Sequence, residues 1–329
     1  MNDQRWIQHE HAVQVKSPVP FPLKWVNSYL IRGSGGYTLI DPGIHTEDAK
    51  DCWKHVMDEL GIGMGDIEQI VLTHHHPDHY GLAGWFQQQT GCPVFISRPS
   101  WEQAQSFWGD RPGPAGRRLN EELFDAFRVH GMDKEMLEQL FSLNASRTSN
   151  VTPHPKVKFL QEGETILLGD RRYEMIHTPG HATGHLCFYD RIHKVMFCGD
   201  HVLPKISPNV SYIPGIEDDP LHEYLESLRR IASFGVDLAY PGHREPFRTF
   251  AQRALDIISH HEQRLAEMIG ILRERMTAYD LCKIIFGSHL SVHQLRFAMG
   301  ETLAHVIYLH RRGRIREWRE DNGTITYSQ

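Results

Sequence analysis

Thr73-His74-His75-His76-Pro77-Asp78-His79 is the stretch on which the fold turns. The short apolar run Ile70-Val71-Leu72 before it reads as a buried strand that delivers these residues at its C-terminal end. His74 and His76 alternate on an extended backbone, so their side chains point the same way, and His75 points away as a packing residue. Asp78 and His79 follow as the chain turns into a helix expected over Tyr80–Thr90. All four side chains can therefore converge on one cavity. Catalytic zinc takes imidazole and carboxylate ligands and keeps one position for water. A surface histidine cluster is the other reading, but the proline, the aspartate and the strand-to-helix setting argue against it.

Working outward, three more ligand-type residues stand just past expected strands, each in a tight Gly or Pro turn. They are His181 in Thr178-Pro179-Gly180-His181, Asp200 in Gly199-Asp200, and His243 in Pro241-Gly242-His243. Loops at one edge of a sheet sandwich gather such residues from distant parts of a chain. The strands expected before and between them are Val26–Arg32, Tyr37–Ile40, Pro93–Ile96, Val157–Leu160, Thr165–Leu168, Tyr173–His177, Leu186–Tyr189, Lys194–Cys198 and Asp237–Tyr240. With helices at Glu47–Leu60 and Leu221–Phe234, they predict an α/β sandwich of two sheets with helices outside, not a Rossmann sheet.

Composition supports a metal centre. The 23 histidines among 329 residues exceed what packing or surface needs explain. The five cysteines are odd in number and lack Cys-x-x-Cys spacing, which excludes a disulfide framework and a thiolate zinc site. The formal net charge of -6 argues against a chain dominated by nucleic-acid contacts. No segment reaches the ~20 apolar residues that cross a bilayer, and residues 1–10 carry no signal-peptide stretch. The expectation is a cytoplasmic protein with no membrane partner and with homo-oligomerisation left open.

The order His-x-His-x-Asp-His, then His, Asp and His resembles the metallo-β-lactamase superfamily over roughly residues 10–247. The resemblance implies an αββα sandwich and a dinuclear site. In it, His74, His76 and His181 hold the first metal, Asp78, His79 and His243 the second, and Asp200 bridges. Two Zn2+ are expected, with Mn2+ or Fe2+ as alternatives. Asp41, in Asp41-Pro42-Gly43, matches the family's first motif and resembles an outer carboxylate that orients a metal-bound histidine. A water shared by two cations loses its proton near neutral pH, so the expected nucleophile is a metal-bridging hydroxide. Asp78 is the expected catalytic residue, passing a proton to the leaving group. His185 reads as a buried, hydrogen-bonded structural histidine, and His177, His201 and Cys198 as packing residues. Flavin-linked relatives carry Glu where His76 stands, which disfavours that branch.

Two regions bear on substrate. A helical insertion at about residues 100–150 holds Trp101, Phe107 and Trp108, a loop at Arg111-Pro112-Gly113-Pro114, and helices near Leu119–Val129 and Lys134–Leu143. It reads as a lid, with its aromatics packing. Residues 1–247 form the expected catalytic domain, and residues 248–329 a small appended one. The latter has a long helix at Ala251–Arg275, helices opened by the capping boxes Thr277-x-x-Asp280 and Ser291-x-x-Gln294, and a hairpin around Asp321-Asn322-Gly323, the outline of a winged helix. Lys205, Asn209 and Tyr212 follow Asp200 at the cavity edge and are candidate substrate contacts.

Thr-His-His-His-x-Asp-His also resembles glyoxalase II, but no helical glutathione-binding domain is evident. Quorum-signal lactonases share His-Thr-Pro-Gly-His and generally lack the appended domain. The layout is most similar to the lactamase-beta-like protein 2 group, with its single-strand endoribonucleases and polyketide-type thioesterases. Hydrolysis of a small acyl thioester or ester is the leading expectation. The alternatives are an endoribonuclease using the C-terminal domain, a lactonase, and a persulfide dioxygenase with one iron. Arg311, Arg312, Arg314, Arg316 and Arg319 would suit phosphate contacts, but Glu317, Glu320 and Asp321 dilute the patch.

Overall fold

The computed structural model describes residues 4–20, 22–109, 114–144 and 150–329. Part of the expected loop at residues 111–113 lies outside them. Among the described residues the strands form a seven-stranded, a five-stranded and a three-stranded sheet. The first contains, in spatial order, β1 (Trp6–Gln8), β2 (Val13–Pro18), β3 (Trp25–Arg32), β4 (Tyr37–Ile40), β5 (Ile67–Val71), β6 (Val94–Ser97) and β7 (Val157–Leu160). It is antiparallel from β1 to β4 and parallel from β4 to β7. The second joins β8 (Thr165–Leu168), β9 (Arg171–His177), β10 (Leu186–Asp190), β11 (Val195–Gly199) and β12 (Leu238–Pro241), with only β11 and β12 parallel.

The side-chain period of two sorts each central strand between two cores. In β3, Val26 and Leu30 face the helices α1 (Glu47–Leu60), α2 (Pro77–Tyr80), α3 (Ala83–Thr90) and α4 (Arg98–Trp108), where they join Trp53, Phe86 and Ala104. Tyr29 and Ile31 face the other way and meet Tyr173, Phe188 and Phe197 of the second sheet. Phe188 and Phe197 thus fill the space between the sheets, while Cys187, Met196 and Cys198 turn outward to a third core. The layers are helix, sheet, sheet, helix, as expected for this α/β fold.

Local signals set the helix ends. Thr46 caps α1 by accepting from the Ala49 amide, and Gly61 ends it with φ 65°. Helix α7 (Pro220–Ala232) starts on the side chain of Asp219 with proline in its first turn. The expected helix Tyr80–Thr90 is instead two, because α2 already begins at Pro77 and the chain bends at Gly81 and Leu82. The aromatic run 101–108 is helical, as part of α4.

The insertion's later helices, α5 (Pro114–Val129) and α6 (Lys134–Asn144), share the third core with the C-terminal helices. Those are α8 (Phe250–Ile271), α9 (Ala278–Phe286) and α10 (Val292–Arg311). Helix α8 ends four residues before the expected Arg275. The terminal hairpin, β14 (Arg316–Arg319) and β15 (Ile325–Ser328), gains a third strand, β13 (Met276–Thr277), on the free edge of β15. His130, just past α5, stacks on Tyr327 of β15 at 5.7 Å, and the Tyr279 amide donates to the His130 carbonyl. Among the described residues no helix is long and apolar enough to cross a membrane.

Candidate metal centre

The ends of β5, β9, β11 and β12 lie at one edge of the sandwich, and their loops carry the ligand-type residues. Strand pairing extends past the assigned ends there: Leu186 N donates to the Thr73 carbonyl, and Gly242 N to the Gly199 carbonyl. The first bond ties the two sheets, joining the loops after β5 and β9, and the second joins the loops after β11 and β12. Gly242 is required by close approach. A Cβ there would lie 2.2 Å from Asp200 Oδ1 and 2.7 Å from His79 Cε1.

The hydrogen bonds on the outer nitrogens show which atoms face inward. His181 Nδ1 donates to the Asn209 carbonyl at 2.7 Å, and His243 Nδ1 to the Trp25 carbonyl at 3.1 Å. A carbonyl can only accept, so Nδ1 carries a proton and each ring turns its Nε2 to the centre. His79 Nδ1 donates to Asp41 Oδ2 at 2.8 Å, with the same consequence. The Thr73 hydroxyl donates to Asp41 Oδ2 at 2.6 Å and therefore accepts from His74 Nδ1 at 2.9 Å. His74 Nε2 then meets His76 Nδ1 at 3.0 Å.

Two groups of inward atoms result, each within the span of one ion: His74, His76 and His181, and Asp78, His79 and His243. The Asp200 carboxylate lies between them. Its Oδ1 is 3.4 Å from His79 Nε2, while its Oδ2 is 3.7 Å from His181 Nε2 and 3.4 Å from His243 Nε2. Asp78 Oδ2 is 3.4 Å from His243 Nε2.

Electrostatics divide the centre the same way. Burial, reinforced by the neighbouring histidines, holds His74 and His76 well below the usual imidazole range, so both are neutral donors. Burial also lowers His181, although Asp200 pulls the other way. At His79 and His243 burial opposes protonation, but Asp200 and Asp78 outweigh it and raise both. Burial would raise Asp200 and Asp78, yet the same two histidines hold both low.

The donor set fits divalent cations. His79 Nε2, His181 Nε2 and Asp200 Oδ1 are buried and make no hydrogen bond, a costly state for inward-facing polar atoms. Imidazole nitrogens and carboxylate oxygens are the ligands that zinc and related ions take. Together the two groups fit a dinuclear site.

The supporting residues are equally specific. Asp41, with φ 49° in the left-handed region, spends its oxygens on the Thr73 amide at 2.8 Å, the Thr73 hydroxyl and His79. It also lies near His74 and His79 as a potential ligand, but those three hydrogen bonds fit it to orienting them instead. His185 accepts from the Asp200 amide at 3.2 Å and faces the Thr178 hydroxyl at 2.8 Å, so both its nitrogens are used. His75 lies outside the centre, stacked on Phe107. His201 packs against Tyr224, and Cys198 is a buried thiol raised well above its usual range, first by burial.

Of the three candidate substrate contacts, Lys205 is exposed. Tyr212 is half-buried against the third core. The Asn209 side chain turns to α10, donating to Glu301 at 3.0 Å and to the Phe297 carbonyl at 3.3 Å. Sequence reading missed the grip of β3 on the His243 turn. Asn27 Nδ2 donates to the Pro241 carbonyl at 3.0 Å, and the Tyr29 hydroxyl to the same oxygen at 2.6 Å. The signal available was Asn27-Ser28, a polar pair inside an otherwise apolar strand.

Beside the His181 loop lies a cleft of about 690 Å³, lined among others by His177, Thr183, Glu217, His222, Arg311 and Arg312. None of the inward-facing ligand-type atoms belongs to it.

Known proteins share this fold. Residues 25–243 match the family model described as Metallo-beta-lactamase superfamily, and residues 265–329 match that of the Metallo-beta-lactamase-like, C-terminal domain. The crystal structure of metallo-beta-lactamase family protein TTHA1429 from Thermus thermophilus is similar with a TM-score of 0.84 and 32% identity, covering 98% of this chain and 99% of that one. The probable metallo-hydrolase YqjP of Bacillus subtilis is 27% identical over 95% of this chain and 96% of its own length. The acyl-coenzyme A thioesterase MBLAC2 of Gallus gallus is 28% identical over 67% of this chain and 73% of its own.

Proposed function

The chain belongs to the metallo-β-lactamase superfamily, and on that premise we propose that it is a dinuclear zinc-dependent hydrolase of small acyl thioesters or esters. The observation that carries the reading is the pair of ligand groups with the Asp200 carboxylate between them. His74, His76 and His181 would hold one ion, Asp78, His79 and His243 the other, with Asp200 shared. When bound, such ions supply Lewis acidity, polarising an acyl oxygen and lowering the pKa of water toward neutrality. The thioester preference rests on the acyl-coenzyme A thioesterase relative.

The chain's own residues would do the remaining work. Asp41, through Thr73 and His79, fixes the ring orientation of ligands on both sides of the centre. His185 fixes the backbone of Asp200. Asp78 keeps more solvent contact than its partners, its side chain 17% exposed against 9% for Asp200 and none for His79. We assign it the proton relay: its ionised carboxylate takes a proton from the attacking water and passes it to the leaving thiolate or alkoxide. Residues 1–247 would form the catalytic domain and residues 248–329 a winged-helix-like domain behind the His181 loop.

A substrate panel tests this. The metal-replete protein is assayed on acyl-coenzyme A and simpler thioesters, carboxylic esters, lactones, persulfides and single-stranded RNA, beside an Asp200→Ala control. Thioester or ester turnover that the control lacks is the expected result. Cleavage confined to RNA, or equal activity in the control with two metals retained, would refute the proposal.

A further inference from the structure

We propose that Asn209 and Glu301 are positioning residues for His181, through which helix α10 sets the orientation of a metal ligand; the inference rests on the metal-site reading above. His181 Nδ1 donates to the Asn209 carbonyl at 2.7 Å, and this bond leaves Nε2 facing the centre. That carbonyl belongs to a loop without regular structure of its own, residues 203–213, so something else must hold it. The holding contacts come from the C-terminal helices.

Asn209 Nδ2 donates to Glu301 Oε2 at 3.0 Å and to the Phe297 carbonyl at 3.3 Å, both on α10. Asn209 Oδ1 accepts from the Ser211 hydroxyl at 2.5 Å. The Tyr212 amide donates to the Gly300 carbonyl at 3.0 Å. The loop lies so close to the helix that a Cβ on Gly300 would come within 2.7 Å of Ser211 Oγ and 3.0 Å of Ser211 Cβ. From α8, Arg253 donates to the carbonyls of Leu203 at 2.7 Å and Ile206 at 3.0 Å, fixing the start of the same loop. Both side-chain ends of Asn209 are thus spent on positioning its own backbone.

Outer residues that orient metal-binding histidines typically change metal affinity about 10–100-fold when removed. Here the orienting carbonyl cannot be mutated, but its support can. Metal affinity of the full chain, read by competition with a chromophoric chelator, is the test, with folding followed by circular dichroism. Asn209→Ala and Glu301→Ala should weaken one of the two ions about tenfold. Glu301→Gln keeps an oxygen acceptor and should retain wild-type affinity. Gly300→Ala should weaken metal binding in a protein that still folds, because the methyl group displaces Ser211 while alanine's helix preference offsets part of that cost.

Wild-type affinity in a folded Asn209→Ala protein would overturn the proposal. So would a loss in Glu301→Gln as large as in Glu301→Ala, because charge and not the hydrogen bond would then be responsible. If Glu301→Ala does not fold, Asn209→Ala and Gly300→Ala decide by the same readings. Two ions bound normally in every variant would overturn the relay alone, whereas no metal in the unaltered protein would overturn the function proposed above as well.

Discussion

Replacing Asp41 by Asn probes how the centre is held without touching an inward-facing ligand atom. The carboxylate is buried and accepts from the Thr73 amide, the Thr73 hydroxyl and His79 Nδ1. Asparagine keeps one oxygen and turns the other into a donor, so it can satisfy the Thr73 amide or His79, not both. A hydrogen bond to a charged group contributes about 1.5–3 kcal/mol, so the substitution should cost on the order of 3 kcal/mol of stability. His79 would lose the acceptor that fixes its tautomer, and Thr73 the partner that lets it accept from His74. The expected fall in metal affinity is about 10–100-fold, or about 1.4–2.8 kcal/mol. Chelator competition reads the affinity, and thermal unfolding with chelator present reads the stability. An Asp41→Asn protein that binds both ions as tightly as the wild type would refute the orienting role.

Gly242→Ala places a methyl group 2.2 Å from Asp200 Oδ1 and should abolish binding of at least one ion, with an overpacking cost of about 1–3 kcal/mol; normal metal content by elemental analysis would contradict it. Burial, with Arg319 nearby, depresses His130 from 6.5 to about 4. Between those values the unfolded chain binds a proton that the folded chain refuses, so stability is full above pH 6.5 and falls as pH drops toward 4, by up to about 1.4 kcal/mol per pH unit from this group. His130→Phe should flatten the acid limb of melting temperature against pH, and an unchanged slope would count against it. Burial lowers His305 to about 4 as well, so part of the acid sensitivity should persist.

The ligand-type residues were legible because each stands at a strand end beside Gly, Pro or another ligand, where local sequence fixes both the turn and the side chain's direction. The sandwich was legible from runs such as Leu186–Tyr189, whose alternate residues fill two different cores. Strand β1 escaped notice because its three residues are too few to show a period, and β2 because the alternation of Val13 and Val15 with Gln14 and Lys16 ends after four residues at the polar, fully buried Ser17. The tie between Asn209 and Glu301 escaped for a different reason. The two residues are 92 positions apart, and nothing local to Asn209 distinguishes a side chain aimed at substrate from one bound to a distant helix. The same holds for Tyr279 and His130, which join the insertion to the C-terminal region.

The most direct measurement is an anomalous-scattering experiment on crystals of the zinc-loaded protein, recorded on both sides of the zinc edge. The account predicts two peaks, one among His74, His76 and His181 and the other among Asp78, His79 and His243, with the Asp200 carboxylate between them. A single peak, or a peak away from these residues, would contradict it.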